Sequence, residues 1–385
     1  MPQESAQFEN NPEDRGVEGL FNSPKYDKDG VGLALSGGGY KAAAYHLGGL
    51  IRLNELGWLP KIERISSVSG GSITAGYLGL KWKELDFQDG VATNFADRIV
   101  APLHDFLTNE NIDIPQGLLG LLLPFRSAAD GVAEAYASKL FKAATLQDLP
   151  KAGEGPRFVL LATNYELNSL WRFSQPYAAD YRVGQILEPR FPLARIVAAS
   201  SAFPPFFCPL KLDLKGHTVT RTPGADRSTG RFAKEALLCD GGIYDNLGLE
   251  PIVKRFGTLL VSNAGNDFEE DEAPSNWAGL MLRIISMMHR QAENNRQRPL
   301  MILGRAKART IAYWPLRNDH ADYPVKSPTD FSDRDREEAQ AEKVRLWSLG
   351  EKAFQRLVNH GYQLSDAATR SYLGIADPPP SKLPF

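Results

Sequence analysis

Cysteine is scarce. Two in 385 residues cannot make a disulfide framework, and Cys208 and Cys239 are too far apart in the chain for a zinc site. Both lie in apolar stretches, so they are expected as buried core thiols in a reducing compartment. Neither sign of charge is in excess: 44 basic and 46 acidic residues leave a net −2. That balance excludes the bulk attraction that draws basic proteins to nucleic acid or anionic membranes. No apolar run reaches the roughly 18 residues of a membrane-spanning helix. The start, MPQESAQFENNPEDRG, lacks the basic and apolar regions of a secretory signal. These absences predict a cytoplasmic protein, peripheral to the membrane at most, with no cofactor, no metal and no nucleic-acid partner.

What is present is an ordinary globular composition, 43% hydrophobic and 23% charged, in a chain long enough to bury a large core without staples. Residues 1–28 read as a flexible polar leader, 29–365 as one α/β domain with helical insertions, and 366–385 as a tail. Val31–Leu35 reads as a buried strand followed by a helix over about 40–56. A second strand over 62–68 leads into a helix through Leu80. Alternation of strand, Gly-rich turn and helix predicts a three-layer α/β/α sandwich with a mainly parallel central sheet. Further strands are expected at Arg157–Ala162, Ser169–Ser174, Ala236–Cys239 and Thr258–Ser262, and helices over 193–202, 276–296 and 333–360. The apolar stretch 117–125, with Phe203, Phe206 and Phe207, reads either as core or as the wall of an acyl pocket.

Three Gly-rich corners stand at strand ends. Ser67-Val68-Ser69-Gly70-Gly71 resembles G-x-S-x-G, the sharp strand-to-helix turn that exposes a nucleophilic serine; its first position is Ser67 rather than glycine. Ser36-Gly37-Gly38-Gly39-Tyr40-Lys41 places three side-chain-free N–H groups at a helix start, which an oxyanion hole requires. It also fits the dinucleotide fingerprint G-x-G-x-x-A, but the acid that fingerprint needs at the end of the next strand is replaced by Ser67 and Ser69. Asp240-Gly241-Gly242 sets a carboxylate at a third strand end. In a parallel sheet such ends share one rim. Of the histidines (His46, His104, His217, His289, His320 and His360), none follows a Gly-rich corner. A Ser–Asp dyad therefore suits the sequence better than a triad. Arg290, Arg296 and Arg298 read as a solvated helix end, with membrane or partner contact as the alternative.

These blocks together resemble the patatin-like phospholipase family. Its D-G-G-G-x-[KR]-G anion hole is similar to Ser36–Ala42, with Ser36 for Asp and Ala42 for Gly. Its D-G-[GA] motif matches Asp240–Gly242, and its A-S-S-A-x-P segment is similar to Ala198–Ala202 with the prolines that follow. The resemblance implies a serine lipid-acyl hydrolase of phospholipase A or lysophospholipase type, with residues 29–365 as its catalytic domain. Ser69 would be the nucleophile and Asp240 the base. Gly37, Gly38 and Gly39 would form the oxyanion hole, and Gly70, Gly71 and Gly241 would shape the turns. Lys41 reads as a head-group contact or as a solvated helix lysine. The expected partners are a lipid substrate and a transient membrane surface. A general carboxylesterase, or a silent or activator-dependent lipid-binding regulator, stays open as the alternative.

Overall fold

A computed structural model describes residues 26–112, 128–205, 207–265, 276–375 and 378–385. The apolar stretch 117–125, Phe206 and all but the last residues of the polar leader lie outside these. In chain order the elements are β1 (Asp27–Leu35), α1 (Gly39–Glu55), β2 (Arg64–Val68), α2 (Gly70–Lys81), a small hairpin of β3 (Phe87–Gln88) and β4 (Val91–Ala92), α3 (Ala101–Asn109) and α4 (Ala128–Tyr136). There follow β5 (Arg157–Asn164), β6 (Ser169–Phe173), β7 (Tyr177–Asp180), β8 (Gly184–Leu187), α5 (Leu193–Ser200), β9 (Leu210–Asp213), β10 (Glu235–Asp240) and the short α6 (Gly242–Asp245). Last come β11 (Phe256–Asn263), α7 (Trp277–Arg305), β12 (Thr310–Pro315), α8 (Asp333–Gln340) and α9 (Glu351–Tyr372).

The sheet runs β12-β11-β1-β2-β5-β6-β7-β8. Its first five strands are parallel, and the last three add antiparallel hairpins. Strands buried on both faces read as near-continuous apolar runs, as Val31–Leu35 does. Successive side chains point to opposite layers. Leu33, Leu35 and Leu260 enter the large core built with α1, α2 and α9, whereas Ala34, Leu259 and Val261 pack against Leu247, Ile252, Leu300 and Leu303 on the other face. The result is the expected three-layer sandwich.

The C-terminal third is integral to it. β11 pairs directly with β1, and α9 packs along α1 so closely that a Cβ on Gly48 would meet the Val358 carbonyl oxygen at 1.9 Å. The charged helix expected over 333–360 is two helices, α8 and α9, and the second runs on to Tyr372. Arg52 and Asp366 form an ion pair at 2.8 Å with neither side chain exposed. The terminal residues fold back on this helix, where the Asn359 amide donates to the Phe385 carbonyl at 2.7 Å.

Two expectations are corrected here. β10 is antiparallel to β5, so Asp240 does not sit on the rim as the end of another parallel strand. And the cysteines are not free: Cys208 and Cys239 form a disulfide, their Cα atoms 5.1 Å apart. The antiparallel ladder of β9 and β10, with Leu210 opposite Leu238, brings together residues 31 apart in sequence. The two cysteines are thus no argument for a reducing compartment.

Candidate active site

β2 and β10 lie on the same edge of β5 and approach each other from opposite directions. Val68 is opposite Leu161, and Asp240 is opposite the next residue, Ala162. The residue that follows Val68 therefore meets Asp240 head-on. That residue is Ser69, whose φ of 51° lies in the left-handed region that a residue with a Cβ seldom adopts. Such strain persists only where the surroundings impose it. Here a helix begins one residue later, at Gly70, and the turn lifts the hydroxyl out of the sheet beside the Asp240 carboxylate, close enough to oppose the rise in its pKa.

The elbow is clamped by serines. The Ser69 N–H donates to Ser200 Oγ at 2.9 Å, Ser200 shares a hydrogen bond with Ser72 at 2.9 Å, and Ser72 with Ser67 at 3.0 Å. Ser67 thus replaces the small glycine of the pattern with a hydrogen-bonding brace. The same Ala198–Ala202 segment also holds the carboxylate side: Asp240 N–H donates to the Ala202 carbonyl at 2.9 Å, and Gly241 N–H to that of Ser200 at 3.2 Å. One segment therefore fixes both partners.

The triple-glycine corner closes the site from β1. A Cβ on Gly70 would stand 2.0 Å from the Gly39 carbonyl oxygen, so the two corners touch backbone to backbone. A Cβ on Gly71 or Gly241 would stand 2.5 Å from the carbonyl oxygen of Leu35 or Leu161. The three glycines are not equivalent as donors. Gly37 N–H already donates to the Asn246 carbonyl at 3.1 Å, which narrows the expected hole to Gly38 and Gly39; neither N–H has an acceptor among the described residues. Ser36, in place of the usual Asp, accepts from Ala264 N–H through its hydroxyl at 2.8 Å. His46 is buried between the Ser36 carbonyl at 2.9 Å and Ser262 Oγ at 2.7 Å, a bracing position with no contact to the Ser69–Asp240 pair.

Asp240 is buried, and desolvation raises its pKa to about 6, against the opposing effects of the Gly242 N–H and the Ser69 hydroxyl. Gly242 N–H donates to Oδ1 at 2.7 Å, and Thr163 holds the backbone carbonyl of Asp240 at 2.8 Å. A carboxylate with a pKa near 6 is a stronger base than an ordinary one, yet still ionised at neutral pH.

The sequence model of the patatin-like phospholipase family matches residues 33–253, from β1 through the elbow to just beyond the Asp240 corner. The chain belongs to the patatin-like phospholipase family. With that it stands among the lipid ester hydrolases. No curated protein sequence matches it. In solved structures, human GIVD cytosolic phospholipase A2 is similar in fold, with a TM-score of 0.55 at 13% identity over 96% of this chain and 68% of that one. The same human enzyme in complex with methyl gamma-linolenyl fluorophosphonate gives a TM-score of 0.52 at 15% identity, over 96% of this chain and 65% of that one. The chain spans about two thirds of their length.

Around this patatin-like centre the structure adds residues that the sequence did not single out. Gly242 is flanked by Asn246 and, from α7, by His289: a Cβ there would meet Asn246 Oδ1 at 2.6 Å, His289 Nε2 at 2.9 Å and Asp240 Oδ1 at 3.0 Å. Burial lowers the His289 pKa, so the ring is neutral, and Phe203 meets it edge-on at 6.0 Å. His289 stands 47 positions after Gly242 in the chain, 289 − 242, so nothing local in the sequence marks it. Glu293, one turn on, is buried and accepts from Asn263 at 2.8 Å and from Asn246 at 3.3 Å.

Lys41 is not solvated. It is fully buried, its amine has no hydrogen-bond partner among the described residues, and desolvation lowers its pKa to about 7 against the pull of Glu293 and Glu342. Nor are Arg290 and Arg296 a free helix end: they pair with Glu293 at 3.2 Å and Glu250 at 2.6 Å. Of the aromatic trio, Phe203 is partly exposed beside the site, and Phe207 packs on the core. A cleft of about 680 Å³ lies at the opposite end of the sheet, lined by Asp27, Glu63, Arg64, Arg157 and Arg255. These stand at or beside the first residues of their strands, whereas Ser69 and Asp240 are at last residues, so the cleft plays no part in the chemistry.

Proposed function

We propose that this chain is a serine lipid-acyl hydrolase of the phospholipase A or lysophospholipase type, with Ser69 as nucleophile and Asp240 as its only base. The reading rests on the end-to-end meeting of β2 and β10, which sets a strained elbow serine against a buried carboxylate of raised pKa. It is supported by family membership and by the fluorophosphonate bound to the similar human enzyme. Asp240 takes the Ser69 proton as Oγ attacks the ester carbonyl carbon. The oxyanion is held by the N–H groups of Gly38 and Gly39, and losing one such donor typically costs about 3 kcal/mol of transition-state stabilisation. As the carbonyl re-forms, the alcohol leaves with the proton from Asp240. Water then attacks the acyl-enzyme, Asp240 accepts its proton, and that proton returns to Ser69 as the fatty acid departs. Lys41, buried near Glu293, is the cation that a head-group phosphate entering this interior would meet.

The test compares wild type with Ser69→Ala and Asp240→Asn on phospholipid vesicles and on a short nitrophenyl ester. Fatty-acid release by wild type, reduced roughly 10⁴-fold in both variants, is the expected result. Activity on the short ester alone would make it a general carboxylesterase. Undiminished activity in the variants would remove the dyad, and silence in all three would leave a lipid-binding regulator.

A further inference from the structure

Gly242, two residues after Asp240, has no side chain, and three polar side-chain atoms converge over its Cα. A Cβ placed there would stand 2.6 Å from Asn246 Oδ1, 2.9 Å from His289 Nε2 and 3.0 Å from Asp240 Oδ1. Any two of these atoms are therefore within about 6 Å of each other, the span that one bridging water covers at about 2.8 Å to each partner. Among the described residues no direct hydrogen bond or ion pair joins any two of the three. The Asn246 amide is oriented: its N–H end donates to the buried Glu293 at 3.3 Å, which leaves its oxygen facing the site. That oxygen also faces the nucleophile, 2.4 Å from where a Cβ on Gly37 would stand, a point 3.1 Å from Ser69 Cβ. His289 is held by packing instead. Burial keeps its ring neutral, Phe203 meets it edge-on, and neither ring nitrogen has a hydrogen-bond partner among the described residues. The Ser69–Asp240 pair alone gives that imidazole no task.

We propose that His289, with Asn246, holds the water that hydrolyses the acyl-enzyme. The inference rests on the hydrolase reading and concerns its second step. The ionised Asp240 carboxylate and the Asn246 Oδ1 only accept hydrogen bonds, so they take the two O–H groups of a water lodged over Gly242. His289 Nε2 carries the imidazole proton and donates a hydrogen bond to one lone pair of that water. The other lone pair is left for the acyl carbonyl carbon. As the new C–O bond forms, the proton facing Asp240 passes to the carboxylate. On collapse the bond from the acyl carbon to Ser69 Oγ breaks, and Asp240 returns the proton to Oγ. Only the water and the acyl ester are consumed. Acylation uses Ser69, Asp240 and the oxyanion N–H groups, so His289 acts on the second step alone.

The experiment follows nitrophenol release from a short nitrophenyl ester by stopped flow in wild type, Ser69→Ala, His289→Ala and His289→Gln, with intact-protein mass spectrometry on quenched samples. In His289→Ala the first turnover is expected at the wild-type rate, followed by a steady state slowed about 10- to 100-fold while the acyl adduct accumulates. His289→Gln, whose amide N–H still reaches the water, should recover part of the steady-state rate. If His289→Ala does not fold, the same two phases are read in His289→Asn, whose shorter amide does not reach the water. An unchanged steady state in His289→Ala would overturn the proposal. So would an equal fall in first turnover and steady state, which would place His289 in the shape of the site and not on the water. If wild type neither forms the adduct nor turns over, or if Ser69→Ala turns over undiminished, the hydrolase reading falls and this inference falls with it; the other two failures leave that reading standing.

Discussion

Asp240 gathers the argument at the scale of a residue. Its side chain is out of water and accepts one backbone N–H, that of Gly242, fewer than the two or three that hold many buried carboxylates ionised. The pKa near 6 sets two pH dependences of opposite sign. As a base it must be ionised, so kcat/KM on a short ester is expected to fall below about pH 6, approaching tenfold per unit; a flat profile down to pH 4 would exclude Asp240 as the base. For stability, a carboxyl whose folded pKa is raised binds its proton more tightly in the folded chain. Between about pH 4 and 6 the stability therefore falls as pH rises, and above that window the charge carries a constant cost of up to about 3 kcal/mol. Asp240→Asn should accordingly melt higher than wild type at neutral pH, with the difference gone in acid. The corners that carry Ser69 and Asp240 were legible in the motifs. The unequal glycines were not, because Gly37 is engaged by Asn246, a residue more than 200 positions away.

At the scale of elements, the site exists because two strands share one edge of β5 and collide end to end. The motifs announced a strand before each corner, and the strands are there. Their relative direction was not readable, since an antiparallel β10 and a parallel one have the same composition. The same holds for the helices that brace the sandwich. α1 starts at the triple-glycine corner, and its far end is anchored by Arg52 to Asp366 in α9, beyond the residues that the family pattern covers. Arg370 and Ser327 also bond that carboxylate, at 2.8 and 2.7 Å. Asp366→Ala would leave the buried Arg52 with Glu55 as its remaining counter-charge, at 2.8 Å, and is expected to destabilise the fold by about 3 kcal/mol, read from chemical denaturation. A change within the few tenths typical of a surface substitution would mean that α9 contributes little to holding α1.

For the whole molecule, the disulfide joins the strand that ends at Asp240 to the segment that follows Phe203. Cys208→Ser with Cys239→Ser removes a cross-link closing a loop of about 30 residues, worth roughly 3–4 kcal/mol in the chain-entropy account. The thermal midpoint of the wild type should fall toward that of the double variant in reductant and lie above it without; identical midpoints in both conditions would show that the bond does not form. The amino-acid sequence by itself determined the layered α/β class, the positions of the corners and the chemistry offered there, because local turns and buried strands are written in short-range pattern. Only the tertiary structure decided that Ser69 and Asp240 come together, that Gly37 is engaged while Gly38 and Gly39 have no acceptor among the described residues, that the cysteines pair, and that α7 turns a histidine toward Gly242. Those outcomes depend on contacts between residues tens to hundreds of positions apart, and short-range pattern carries no record of strand direction, ladder register or the face that a helix presents.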